Sequence, residues 1–272
     1  MTDTYRLPAL KLRQERELAR IRDQWRSLGP GAFGFRILTI PERDRRPEDY
    51  EDFVRSGEER LGPVLGWLAS RGKQIPGSRA LDFGCGPGRF SMVLSDRYDS
   101  TLGLDVSEPL VGTARSLCRS GHGLKFAVNQ EADLRGLGSA SFDLVLCAYV
   151  LQHNPPWLSE RYIHEFSRIL KPGGRLVLQM HGATVNSIFR LVPPAFIYTP
   201  VNLWNSHRAG RSGPGLNQRW DTYWIRPRRI RRLLSGEGMT IEATIRESEP
   251  QGRLISYWFR AVKPPLPNHS SG

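Results

Sequence analysis

The chain has 272 residues, 39% of them apolar and 24% charged, with 39 basic against 27 acidic side chains and a net charge of +12. This length supports one large domain with extensions, and the composition is that of a folded globular protein, which excludes disordered and collagen-like classes. No run approaches the ~18 uninterrupted apolar residues of a membrane-spanning helix, the N-terminus lacks the apolar stretch of a secretory signal, and Cys85, Cys118 and Cys147 have neither disulfide-scaffold nor metal-ligand spacing.

Residues 8–27 read as an amphipathic helix in which Leu10, Leu12, Leu18, Ile21 and Trp25 alternate with charges, and Gly29 and Pro30 stop it. A turn-rich stretch from Pro41 to Pro47 leads into a second helix over 47–71, with Phe53, Leu61, Val64, Leu65 and Leu68 among its apolar positions. From Arg79 the pattern changes to short apolar runs alternating with helical periods. Strands are expected at 80–83, 101–105, 124–128, 142–147 and 175–180, and helices at 90–97, 108–119 and 156–170. Lys171, Pro172, Gly173 and Gly174 read as the stop of the last helix. Such alternation implies a parallel sheet with crossover helices. Residues 181–223 break the rhythm with prolines, glycines and the aromatics Phe189, Phe196, Tyr198, Trp204, Trp220 and Tyr223. A basic helix over 227–235 and two strands, 239–246 and 254–261, close the fold before a tail expected to be disordered. The domain division is then an N-terminal helical cover over 1–75, a sheet domain over 76–262 interrupted by 181–223, and the tail 263–272.

The strongest local signal is Leu81-Asp82-Phe83-Gly84-Cys85-Gly86-Pro87-Gly88. A buried strand, a glycine turn and a helix start let the backbone approach a nucleotide-type ligand closely. Asp105, at the end of the next strand, is placed to accept both hydroxyls of a ribose. The dinucleotide fingerprint needs a third glycine for helix packing, and Arg89 stands there instead, so that match fails. The observed spacing, with an acid at Asp82 inside the strand, resembles the class I S-adenosylmethionine-dependent methyltransferase family. Phe142-Asp143-Leu144-Val145, Tyr149-Val150-Leu151-Gln152-His153 and Arg168-Ile169-Leu170-Lys171-Pro172-Gly173-Gly174 follow in the family's order.

The resemblance implies an α/β, Rossmann-like seven-stranded sheet, mostly parallel with the last strand antiparallel, with helices on both faces. It implies S-adenosyl-L-methionine as cofactor, with Gly84, Cys85, Gly86 and Gly88 along the methionine portion and Asp82 orienting the ammonium. Asp105 would bind the ribose, Val106 and the pair Asp133 and Leu134 the adenine (Glu131 competing for the acidic position), and Ala148 and Tyr149 would lie against the cofactor. Phe53 and Gly57 would close over it. Methyl transfer to a small-molecule acceptor oxygen or nitrogen needs little more than alignment, plus a general base where the acceptor is protonated. His181 and His153 are the candidate catalytic residues, with His207, Tyr149 and Tyr223 behind them; His181 ends a strand whose carboxyl end faces the site. Residues 181–223 would form the acceptor lid, apolar with Arg190, Arg208, Arg211 and Arg219 at its rim. Nothing supplies a metal ligand set.

A second reading takes nucleic acid, RNA in particular, as partner. Residues 200–272 carry 12 basic and 5 acidic groups, and Arg226, Arg228, Arg229, Arg231 and Arg232 fall in one helical run. Asn154-Pro155-Pro156-Trp157 spells a tetrapeptide that holds target amines in amino methyltransferases, but Asn154 lies 11 residues after Asp143, too far along, and Pro156 suits a first helical turn. It is read as a turn. A cytoplasmic protein without integral membrane association is expected.

Overall fold

Ala80, Leu81 and Phe83 form an apolar run broken only by Asp82, and the run becomes an interior strand of a seven-stranded sheet. The computed structural model describes residues 6–27, 50–69, 78–117, 123–182, 223, 225–248 and 255–265. Its strands are β1 (Arg79–Phe83), β2 (Ser100–Asp105), β3 (Leu124–Val128), β4 (Phe142–Cys147), β5 (Leu170–Gly182), β6 (Thr240–Ser248) and β7 (Ile255–Val262), in the order β3-β2-β1-β4-β5-β7-β6. Strands β1 to β5 pair in parallel, and β7 lies antiparallel between β5 and β6. The order runs outward from β1 in one direction and from β4 in the other, so a crevice opens at the carboxyl ends between them.

The helices are α1 (Arg6–Arg26), α2 (Tyr50–Ala69), α3 (Arg89–Ser95), α4 (Glu108–Leu117), α5 (Pro156–Ile169) and α6 (Pro227–Gly236). Alternate strand residues serve opposite faces, as the pleat requires. Leu81, Phe83, Val145, Leu176 and Leu178 pack with α1, α5 and α6 through Leu18, Ile163, Phe166 and Ile230. Ala80, Leu144, Leu146 and Val177 pack with α2 and α3 through Leu61, Leu65, Val93 and Leu94. The N-terminal helices therefore lie on both sides of the sheet domain. Helix α1 is pinned by Trp157 Nε1 donating to Glu17 (2.6 Å), by Ser107 Oγ donating to the Trp25 carbonyl (3.0 Å), and by Arg22 donating to the Gln130 carbonyl.

The stretch Lys171 to Gly174 departs from expectation. Helix α5 does end at Ile169, but the chain continues as strand rather than as a free turn, because Leu170 pairs with Phe142 before the register shifts. Gly173 N–H donates to the Lys263 carbonyl (2.8 Å), the Lys263 N–H donates to the Gly174 carbonyl (2.9 Å), and Lys263 Nζ donates to the Ser167 and Leu170 carbonyls. Lys263 is thus anchored, although the expected tail began with it. Residues 266–272, and 183–222 of the expected lid, lie outside the described residues.

The two glycines of this clasp are required for different reasons. A Cβ on Gly174 would stand 2.9 Å from the Lys171 carbonyl oxygen and 3.1 Å from that of Phe142, whereas Gly173 has open space but a φ of 81°. Gly174→Ala should destabilise by about 1–3 kcal/mol through overpacking, and Gly173→Ala by about 1 kcal/mol through the left-handed backbone alone. Urea unfolding checks the order; an equal or reversed ranking would contradict it.

Candidate active site

The crevice holds a cleft with about 1000 Å³ of empty space, its mouth included. Its floor is backbone. Gly84, Gly86 and Gly88 have φ of 76°, 52° and 94°, a region that costs glycine little. A Cβ on Gly84 would stand 2.2 Å from the Val150 side chain, while one on Gly86 would meet only open space in the cleft. The Gly84 N–H donates to the Leu104 carbonyl (2.7 Å), and the Gly86 N–H donates to Asp105 Oδ2 (2.8 Å), which stitches the turn to the end of β2. Asp105 Oδ1 accepts the Ser107 N–H at 2.8 Å. Each oxygen keeps a second lone pair for a ligand. Burial raises the Asp105 pKa, and the amides of Ser107 and Gly86 oppose that rise.

The walls come from five segments. Leu18, Ile21 and Trp25 reach in from α1 and Phe53 from α2; Arg89 and Phe90 follow the glycine loop; Tyr149, Val150, His153 and Asn154 follow β4; Leu158 and Tyr162 come from α5. Tyr149 has a φ of 64°, an uncommon conformation for a residue with a side chain. Its N–H donates to Gln179 Oε1 (3.0 Å), and its ring stacks near Phe90 and stands edge-on to Trp258. Phe53 thus meets the cleft as expected, whereas Gly57 packs on the stem of Arg89.

Of the residues singled out in the sequence, Gly84, Cys85, Gly86, Asp105, Val106, Ala148, Tyr149 and His153 line this cleft. Gly88 precedes α3 as its left-handed cap and lies outside the wall. Asp82 also lies outside it: on the α3 face of the sheet it accepts the Ser91 hydroxyl at 2.6 Å, and burial pushes its pKa up to about 7.

Asp133 and Leu134 are not brought to the cleft. The Asp133 carboxylate is forked by Arg135 (2.9 and 2.7 Å) and bonded by Arg161 (2.8 Å), which hold it well below the usual carboxylate range. Leu134 is buried, its N–H donating to Glu165 Oε2. Asn129 occupies the wall there, its Nδ2 donating to the Asp133 carbonyl at 3.0 Å. Glu131 is exposed and enters through its backbone, its carbonyl accepting the Tyr162 hydroxyl and its N–H donating to Asn129 Oδ1.

The histidines separate. His153 lines the cleft with its ring edge-on to Trp25, centroids 5.1 Å apart. His181 does not line it. It is buried behind Tyr149, with Nδ1 2.9 Å from Ser256 Oγ on β7, and burial pulls its pKa down to about 4. A buried neutral imidazole away from the cleft wall is a poor general base. His207 lies outside the described residues. Tyr223 sits beside the cleft, its N–H donating to the Gln152 carbonyl and its hydroxyl accepting from Arg20.

Asn154 and Pro155 form the entry to α5, their carbonyls accepting from Ser159 Oγ and the Leu158 N–H, and Trp157 is bonded to Glu17. The arginines of α6 are exposed, Arg229 is bonded to Glu160, and none of them lines the cleft. Among the described residues no group of three or more His, Cys, Asp or Glu is placed to hold a metal, and no helix is long and apolar enough to cross a membrane.

Residues 81–178 match the family model described as a methyltransferase domain. The match runs from within β1 to within β5. The chain is 38% identical over 103 residues to a ubiquinone biosynthesis O-methyltransferase of Methylococcus capsulatus, covering 37% of this chain and 42% of that protein. A protein of the same name from Xanthomonas campestris is 35% identical over 120 residues, covering 43% and 49%. The chain thus spans about half the length of these curated relatives. The magnesium protoporphyrin IX methyltransferase of Synechocystis, crystallised with bound SAH, superposes with a TM-score of 0.62 at 23% identity over 90% of this chain and 99% of that one. A SAM-dependent methyltransferase of Leishmania major gives 0.59 at 15% identity, covering 89% and 82%. At these identities the two structures speak for the fold.

Near the end of β5, His181 leaves a mark on stability. Its native pKa of about 4 lies below the ordinary 6.5, so between those values the unfolded chain binds a proton that the folded chain does not, and stability falls as pH drops. Between pH 7 and pH 5 wild type should lose on the order of 2 kcal/mol through this group. The raised pKa of Asp82 acts with the opposite sign but is common to both proteins compared. His181→Asn should flatten the slope by that amount in urea titrations; equal slopes would show that His181 is not neutral when folded.

Proposed function

We infer that the chain is an S-adenosylmethionine-dependent methyltransferase acting on an oxygen or nitrogen of a small, partly apolar acceptor. The observation that carries this reading is the join of the glycine loop to Asp105 in one cleft wall, because it sets a close-approach backbone beside a carboxylate with free lone pairs. The buried Arg89 in the same wall, its Nη1 without a partner among the described residues, fits a ligand that brings an anion. The cofactor supplies an activated methyl group on a sulfonium. The chain has to bind, orient and keep water away. Asp105 would accept from the ribose hydroxyls, Val106, Leu110 and Asn129 would meet the adenine side, and Ala148 and Tyr149 would border the reacting end. Leu18, Ile21, Trp25, Phe53 and Leu158 offer an apolar wall to the acceptor. The curated relatives named as ubiquinone biosynthesis O-methyltransferases support an oxygen acceptor with an apolar body, and lipid-linked metabolism as its setting. A nucleic-acid acceptor has less support, since the arginines of α6 lie off the cleft. His153 is the described histidine that lines the cleft, where an acceptor proton would be within its reach.

S-adenosylmethionine should raise the melting temperature by mass action, and Asp105→Ala should remove most of that shift through the loss of charge-assisted bonds. An undiminished shift in Asp105→Ala would overturn the reading. His153→Ala should lower turnover about 100-fold where it takes the acceptor proton while calorimetric cofactor affinity holds; unchanged turnover would remove it from the chemistry. Transfer from labelled cofactor should also survive a chelator, and loss restored by Mg²⁺ would show a metal-assisted site instead.

A further inference from the structure

The net charge of +12 is not spread evenly over the described surface. Arg60, Arg97, Arg115, Arg161, Arg168 and Arg175 each form an ion pair with an acid of the chain. Helix α6 differs. It contains no acidic residue, its arginines are exposed, and a further exposed arginine, Arg226, stands at its N-cap. Arg229 has Glu160, while Arg226, Arg228, Arg231 and Arg232 form no ion pair among the described residues. Arg228, Arg231 and Arg232 are three and four residues apart, so they share one stripe, turned away from the buried Ile230 and Leu234. Within the helix this charge is unfavourable, because like charges on one stripe repel and cations in the first turn oppose the helix dipole. It suits an anionic surface outside the chain.

Helices α1 and α6 flank the start of α5. Trp157 and Glu160, three residues apart on α5, bond Glu17 of α1 and Arg229 of α6, and Arg20 of α1 donates to Tyr223, which precedes Arg226 by three residues. Beyond Glu17 the N-terminal half of α1 carries Leu10 and Leu12, 52% and 49% exposed, two of the three large apolar side chains exposed among the described residues. Lys11, Arg13 and Arg16 are exposed around them. Leu10 falls on the stripe of Leu18, Ile21 and Trp25, so one apolar track runs from the exposed end of α1 to the cleft wall. A polyanion in water would meet the arginines and leave the leucines exposed. An anionic bilayer takes both, its headgroups on the arginines and its interface on the leucines. We propose that α6 and the outer half of α1 dock on a bilayer of anionic lipids, and that the partly apolar acceptor enters the cleft from that bilayer along the α1 stripe.

The entry route rests on the function proposed above, whereas the docking is tested without cofactor or acceptor. Flotation of the full chain is measured with vesicles of phosphatidylcholine alone and of phosphatidylcholine mixed with an equal part of phosphatidylglycerol. Wild type should bind the mixed vesicles and scarcely the neutral ones, and added salt should weaken the binding. Arg228→Glu with Arg231→Glu should weaken it about thirtyfold or more, since each cation near an anionic membrane surface gives roughly a fivefold gain. Acids in the first turn suit the helix dipole, so this variant should fold. Arg55→Glu with Lys125→Glu, the same change of charge placed on α2 and β3, should weaken binding far less. Leu10→Ser with Leu12→Ser should weaken it about tenfold through lost apolar contact. Calorimetric affinity for S-adenosylmethionine should be unchanged in the α6 variant. Equal weakening by the two charge pairs would reduce the effect to net charge and overturn the docking surface. So would polyuridylate bound more tightly than the mixed vesicles and lost in the α6 variant, which would give the arginines to nucleic acid. Undiminished vesicle binding in Leu10→Ser with Leu12→Ser overturns the part of α1 and the entry route with it. Wild type that binds the mixed vesicles but not S-adenosylmethionine overturns the cofactor reading and leaves the docking standing; wild type that binds S-adenosylmethionine but no vesicles does the reverse.

Discussion

The hydrogen bond from the Gly86 amide to the Asp105 carboxylate joins the turn after β1 to the end of β2, and the cleft is arranged around it. It makes the floor out of backbone, which is possible only where side chains are absent and φ is positive. It also orients Asp105, whose oxygens each accept one amide and present what remains to the cleft. Both strands end there because the sheet order reverses between β1 and β4, so neighbouring crossover helices diverge and leave the carboxyl ends uncovered. A floor of amides is nearly neutral. Charge enters the site through few groups, chiefly Asp105 in the wall, Asp82 beneath the loop and Arg89 at its end. Asp82 and Arg89 are buried and Asp105 is half-buried, so each has a large effect on what the cleft accepts.

Much of this was legible in the sequence where the determinants are local. The apolar runs at 124–128 and 142–147 become strands with those bounds, and the glycine turn and Asp105 fall into one wall. The residues that fall away from the cleft do so through contacts distant in the chain. Asp133 matched the family's adenine-edge position, but Arg161, 28 residues away, joins Arg135 in binding it, and Asn129 lines the cleft wall nearby. His181 does end β5, yet the pleat sets it on the face of Val177, where Ser256 on β7 bonds it. The helix stop at Lys171 to Gly174 was correct chemistry for the end of α5, but the extended course that follows depends on Lys263. Arg89 was read only as a missing glycine. Its type was visible, and its burial in the cleft wall without an ion pair among the described residues was not, since that is a property of the packing.

Helix α1 shows how far the cleft and the periphery depend on each other. Its C-terminal half turns Leu18, Ile21 and Trp25 inward, while Leu10 and Leu12 in the other half are about half exposed. Leu18 and Ile21 belong to the buried core and Trp25 packs against it, and all three also border the cleft, so the apolar contact of the helix is divided between core and cleft. What compensates is polar and placed at the edges: Glu17 with Trp157, Arg22 with the Gln130 carbonyl, and the Trp25 carbonyl with Ser107. Two of those contacts fall on segments that also build the site, since Ser107 bonds Asp105 and Gln130 follows Asn129. A molecule that fills the cleft adds apolar contact to α1 and rests on the same Asp105 that orders Ser107. Ligand affinity and the docking of α1 are therefore linked, and by reciprocity whatever loosens the helix weakens the ligand by the same factor that the ligand strengthens the helix.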